Sequence, residues 1–189
     1  MLLCYLALLS IAVGWIRGGR LRNFLNYPLR GLPLPIAAFA VEALFEPFYR
    51  LTGWAPAHWL WAAVLLEYVL LFIFLFLNRR AVSTWFLAAG TLLNFLVISS
   101  NNWRMPVSPD VLSMPELSSF VQRIEAGTLM EYCIAGPSTR FILLGDVIHF
   151  DWVPGMSFAS AGDFFMAAGV FLLIQAFMKA PVRSSQQVI

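Results

Sequence analysis

Long apolar runs separated by short polar clusters dominate the chain. Five runs, at about 2–16, 34–51, 58–77, 81–99 and 163–178, approach the ~20 residues that a helix needs to cross a bilayer. Between the fourth and fifth lies a connection over residues 100–160. It is too long for an idle linker and too rich in Leu, Phe and Val to be disordered. Within it, "SPDVLSMPELSSFVQRIEAG" predicts short helices, with Ser108 as N-cap, Pro109 at the first helical position, Asp110 at the positive helix end and Gly127 as the stop. "STRFILLGDVIHFDW" is apolar but too short to span, and Asp146 sits in its middle. It reads as a re-entrant or interfacial segment over the mouth of the bundle. The expected architecture is an all-α, polytopic membrane bundle of five transmembrane helices. It forms one integral membrane domain over residues 1–189 with an extracytoplasmic helical cap. No internal repeat is visible, which argues against an inverted-repeat transporter.

Composition supports lipid as the solvent. The chain is 60% hydrophobic and 12% charged, with a mean hydropathy of +0.78, whereas soluble domains carry about a quarter charged residues. A net charge of +2 is too small to suggest a nucleic-acid partner. The distribution of charge is more informative. Arg17, Arg20, Arg22, Arg30, Arg79, Arg80, Lys179 and Arg183 all fall on one side of a five-span topology. The other side keeps Arg50, Arg104, Arg123 and Arg140. The positive-inside rule makes the first side cytoplasmic, with the N-terminus outside and the C-terminus inside a bacterial cytoplasmic membrane. The second run carries Glu42, Glu46 and Arg50. Laying it flat would split the basic clusters across the membrane, so it counts as a span. The first run has no positive charge before its apolar core and two arginines just after it, the pattern of an uncleaved anchor. Cys4 and Cys133 both fall near the outer face. A disulfide is chemically allowed there, and two unpaired thiols are the expectation.

Five motifs then fall in order: "RGGRLRN" (17–23), "NRR" (78–80), "NNWRMPVSPD" (101–110), "LLGDVI" (143–148) and "SAGD" (160–163). Together they resemble a family of bacterial multi-span membrane proteins classed as a domain of unknown function. The likeness implies a location and a fold, and no reaction. Met105, Pro106, Val107, Ser108, Gly145, Asp146, Gly162 and Asp163 match the family pattern. The family tends to have Asn-Gly-Gly before the basic residue, where this chain has Asn101, Asn102 and Trp103 before Arg104. His149 stands where the family often has proline.

Two constellations are candidates for chemistry. The first is an outer polar cluster of Asn101, Asn102, Arg104, Arg140, Asp146 and Asp163. Its oxygens suit a hard cation, and a carboxylate–arginine set suits a charged solute. Against this stands a plain structural reading. Ser160 and Asp163 would form a capping box, Asp146 would close a turn, and the asparagines would satisfy helix-end carbonyls. The second is the intramembrane carboxylates Glu42, Glu46 and Glu67, a candidate proton or cation path. Asn94 and Thr91 would join that path or hold helices together by hydrogen bonds. The "RGGRLRNFLNYPLR" loop sets topology and offers basic residues to anionic headgroups. Catalysis has thin support: no Gly-x-Ser-x-Gly, His-x-x-x-His or Cys-x-x-Cys occurs, and an acid–base set of His149, Asp151 and Asp146 would lack a nucleophile partner. No cofactor is expected, and no metal is assigned. The expected partners are the lipid bilayer and a membrane protein or a second copy. The expected function is a small transporter or accessory transport subunit with an outward-facing polar site. The alternatives are an assembly subunit of a membrane complex and an enzyme or lipid-binding protein at the outer leaflet.

Overall fold

Each long apolar run folds as a single α-helix. The computed structural model describes residues 2–52, 59–150 and 158–179. Its helices are α1 (Leu2–Ile16), α2 (Pro33–Thr52), α3 (Trp59–Leu77), α4 (Val82–Ser100), α5 (Ser118–Glu125) and α6 (Ala161–Met178). Three of them, α3, α4 and α6, are long and apolar enough to cross a membrane. α1 is apolar but has 15 residues, about 22 Å at 1.5 Å per residue. α2 has 20 residues but includes Glu42, Glu46 and Arg50.

The long helices pack as a row in the order α1, α6, α4, α3, α2. The closest contact is between α4 and α6, and glycine makes it possible. A Cβ on Gly90 would strike the Gly162 carbonyl and the Met166 backbone, and one on Gly169 would lie 2.8 Å from the Leu87 nitrogen. Close backbone approach at small residues is how helices associate where lipid removes the hydrophobic drive. The pairings Gly90–Gly162 and Leu87–Gly169 also make the two helices antiparallel. α1 joins α6 through buried polar groups. Ser10 Oγ donates to the Phe171 carbonyl (2.8 Å), and Gln175 Nε2 donates to the Ser10 carbonyl (2.6 Å) and Oγ (2.9 Å). Arg17 Nη1 then donates to Gln175 Oε1 (2.9 Å).

One end of the row is basic. The Arg20 amide and Asn23 Nδ2 both donate to the Met178 carbonyl, at 3.0 and 2.9 Å. "RGGRLRN" therefore closes the C-terminal end of α6, where carbonyls lack helical partners. Phe24 sets its ring edge-on against Phe177 at 4.8 Å. After α3, Asn78 reaches the same loop: Nδ2 donates to the Arg30 carbonyl (2.8 Å), and Oδ1 accepts from the Arg30 amide (3.0 Å). These bonds put Arg17, Arg20, Arg22, Arg30, Arg79, Arg80 and Lys179 at one end, as the charge pattern predicts. Arg183 lies outside the described residues.

The opposite end carries the segment between α4 and α6, termed the cap. Here the all-α expectation is corrected: the chain is mostly helical, but the cap contains short strands. β1 (Met105–Val107) pairs in parallel with β2 (Tyr132–Ile134), and β3 (Ile148–His149) pairs antiparallel with β4 (Phe158–Ala159). Runs of two or three residues cannot show the alternation that signals a strand. Ser108 is the N-cap as expected, its Oγ accepting from the Asp110 amide, but the turn it opens over Pro109–Ser113 is a 3-10 helix. Gly127 ends α5 with φ +68°. In "STRFILLGDVIHFDW" the segment Ile142–Leu144 forms a 3-10 turn, with Phe141, Ile142 and Leu143 exposed. Both cysteines are free thiols.

Candidate functional site

The "MPVS" motif is the buried spine of the cap. Met105, Val107 and Ser108 are all buried, and Pro106 is among the most enclosed side chains. On one side the Met105 amide donates to the Glu131 carbonyl (2.7 Å) and the Val107 carbonyl accepts from the Ala135 amide (2.9 Å). On the other side the Asp146 amide donates to the Pro106 carbonyl (2.9 Å), and the Ser108 amide donates to the Asp146 carbonyl (3.0 Å). Proline lacks an N–H, and alternation along the strand turns that position away from β2, so the β1–β2 pairing loses no bond. Gly145 is required for the approach, because a Cβ there would press on the Pro106 carbonyl at 2.5 Å. Two motifs thus form one bridge between residues 39 apart in the chain, Val107 to Asp146.

Beside it, "SAGD" opens α6 as a capping box. Ser160 Oγ accepts from the Asp163 amide, and Asp163 Oδ2 accepts from the Ser160 amide, both at 3.0 Å. Buried Asn94 of α4 completes the arrangement. Its Nδ2 donates to Asp163 Oδ1 (3.2 Å), and its Oδ1 accepts from Ser160 Oγ (2.9 Å). Both Asp163 oxygens are therefore engaged. Asp146 differs. Its Oδ1 is buried with no hydrogen-bond partner among the described residues. Burial, reinforced by the nearby Asp163 charge, pushes its carboxyl up to about 7. Asp146 thus stands as a buried carboxyl near the Asp163 charge, and it changes protonation near neutral pH.

The remaining predicted residues fall elsewhere. Asn101 and Arg140 meet through the Arg140 backbone: Asn101 Oδ1 accepts from its amide (2.9 Å), and Nδ2 donates to its carbonyl (2.8 Å) and to that of Val97 (2.7 Å). Asn102, Arg104 and the Arg140 side chain are exposed. The expected six-residue cluster therefore divides: Asp146 and Asp163 lie near the start of α6, Asn101 clamps the Arg140 backbone at the end of α4, and Asn102 and Arg104 are exposed. Burial pushes the Cys133 thiol up, and the Arg104 charge works against that shift. Glu67 is half-buried on α3, and the side chains of Glu42 and Glu46 lie outside the described residues. Among the described residues no three His, Cys, Asp or Glu side chains group as metal ligands. Sequence reasoning left Asn94 out of the outer site. The available signal was an amide in an otherwise apolar helix, but its partners lie 66 and 69 residues away.

A family model described as a family of unknown function (DUF5317) matches residues 26–175, most of the chain. The chain belongs to that family. This agrees with the resemblance carried by the motifs, all but the first of which lie wholly within the DUF5317 match. No curated protein and no solved structure matches.

Proposed function

We propose that the chain is a multi-pass protein of a bacterial cytoplasmic membrane that serves as a small transporter or accessory transport subunit. In this reading α1 to α4 and α6 all span, the N-terminus and cap lie outside, and the basic end lies in the cytoplasm. The observation that carries the reading is the Asp146–Asp163 pair, in which one carboxyl oxygen is buried without a partner. A buried carboxyl raised toward neutrality beside a second negative charge can take up and release a proton, and proton exchange at a membrane mouth is the chemistry of a coupled carrier. Glu67, with Glu42 and Glu46, would continue the path inward. No reaction is proposed.

Purified protein in liposomes with an imposed pH gradient tests this, with a trapped pH dye as the readout. Protein-dependent proton movement should be lost in Asp146→Asn and reduced in Glu67→Gln. Movement no faster than in empty liposomes would contradict the transport reading.

A second reading is favoured by the helix arrangement. The helices pack as a row, and Asn94, Ser160, Asn101, Ser10 and Gln175 all hold helices or turns together. Such a row suits a subunit that assembles with another membrane protein or a second copy. Co-purification of a stoichiometric partner in mild detergent would select this reading over the first.

A further inference from the structure

The segments that form the basic end carry no acidic side chain. Residues 1–41, 68–109 and 164–189 contain no Asp or Glu. Three separate segments nevertheless bring their cations together there. The loop after α1 supplies Arg20, Arg22 and Arg30, the turn after α3 supplies Arg79 and Arg80, and the end of α6 supplies Lys179. The frame is built by hydrogen bonds. The Arg20 amide and Asn23 Nδ2 fix the loop to Met178, one residue before Lys179. The two-way Asn78–Arg30 pairing fixes the same loop to the residue before Arg79. Arg20, Arg22, Arg30, Arg80 and Lys179 are exposed, so their charges stay available. Apolar groups frame the same level: Trp15 and Ile16 close α1 at 58% and 86% exposure, and Leu21 and Phe24 follow in the loop. A rim that is basic and aromatic-apolar at one depth matches the boundary between headgroups and acyl chains.

We propose that this end is a binding surface for anionic phospholipid headgroups, with Arg22, Arg80 and Lys179 as its principal cations. The inference rests on the membrane embedding proposed above and not on transport. Topology setting alone needs basic residues on the correct side. It does not need three segments cross-linked into one acid-free surface. Guanidinium forks suit the non-bridging oxygens of a phosphodiester, and a cluster of four to eight basic residues near a membrane helix reads as anionic-lipid binding.

The test uses the full chain purified in a non-ionic detergent, with short-chain fluorescent phosphatidylglycerol and phosphatidylcholine as probes. The wild type should bind phosphatidylglycerol at least about tenfold more tightly, on the basis of several charges each contributing. The triple change Arg22→Gln, Arg80→Gln and Lys179→Gln should abolish the preference. The matching change Arg104→Gln, Arg123→Gln and Arg140→Gln at the cap should keep it. If the first variant does not fold, added salt on wild type replaces it, because exposed charges are screened and the preference should shrink. Equal binding of the two lipids would overturn the proposal. So would a preference that survives the triple change and salt, or displacement by inorganic phosphate at the lipid's own concentration. Membrane embedding is checked apart, by extracting membranes at alkaline pH. A chain released there would refute the embedding itself, whatever the lipid result.

Discussion

Asn78 and Asn101 do the same work at opposite ends of the molecule. Each follows a long helix, donates Nδ2 to the carbonyl four residues back, and exchanges two hydrogen bonds with an arginine backbone in a distant segment. An amide side chain is suited to this because it offers a donor and an acceptor side by side. Replacing either by Ala removes three bonds and should cost about 1–2 kcal/mol in thermal or chemical unfolding. The two losses should add, since the sites share no partner. Next to Asn101, the chain turns through Asn102 (φ 56°) and Trp103 (φ 62°), both left-handed. The Trp103 amide donates to the Ile98 carbonyl (3.0 Å), the longer bond of a Schellman close. Neither residue is glycine, so the turn is held without one. Trp103 gains contact with Phe95 at 6.2 Å in return. Asn102→Gly should be neutral or stabilise by up to about 1 kcal/mol, whereas Asn102→Val should cost about 1–2 kcal/mol, read by the same unfolding assay. At Asp146 the sign of the pH effect follows from its raised pKa. A carboxyl that holds its proton more tightly when folded gives stability that is complete below its unfolded pKa. That stability is lost as pH rises through about 7. The melting temperature should therefore fall between about pH 4 and about pH 7, and Asp146→Asn should flatten that slope and raise stability at the alkaline end. An unchanged slope in the variant would place the titration elsewhere.

At the scale of elements, the α4–α6 contact is the most exacting part of the fold. Gly90, Gly162 and Gly169 let the backbones meet, and Asn94 then reaches the capping box of α6. Gly90→Ala would press a methyl group into the backbone of α6 and should destabilise by about 1–3 kcal/mol or more, with detergent-solubilised melting as the measurement. Asn94→Ala should cost about 1 kcal/mol, the usual range for interhelical hydrogen bonds in membranes. Much of this level is legible in the sequence. The five apolar runs become helices whose ends differ from the expected ones by about two residues at most. The caps at Ser108 and Ser160 and the stop at Gly127 are also readable, because each depends on neighbours a few residues away. The parallel pairing of β1 with β2 is not, because its partners lie 27 residues apart and its strands are too short for periodicity. For the same reason the outer polar cluster is half legible. The Asp163 charge acts on Asp146, but whether Asn101 faces them or Arg140 depends on the path of residues between.

The whole molecule separates its chemistry by end. Cations gather on an acid-free base, with the Ser10–Gln175 contacts near that end, and the opposite end holds Asp146, Asp163 and Asn94. The helix row explains why the motifs of a chain in the DUF5317 family are spread through the sequence yet meet in pairs. "RGGRLRN" closes α6, "NRR" holds Arg30, Asn101 holds Arg140, "MPVS" bridges Asp146, and "SAGD" binds Asn94. Both the transport and the lipid-surface proposals need these two ends to face opposite sides of a membrane. Thiol labelling in cells measures this directly, using single cysteines at Arg104 and at Arg22 in a background lacking Cys4 and Cys133. An impermeant maleimide should label Arg104→Cys on intact cells and Arg22→Cys only after lysis. Equal labelling of both before lysis, or the reverse order, would contradict the account.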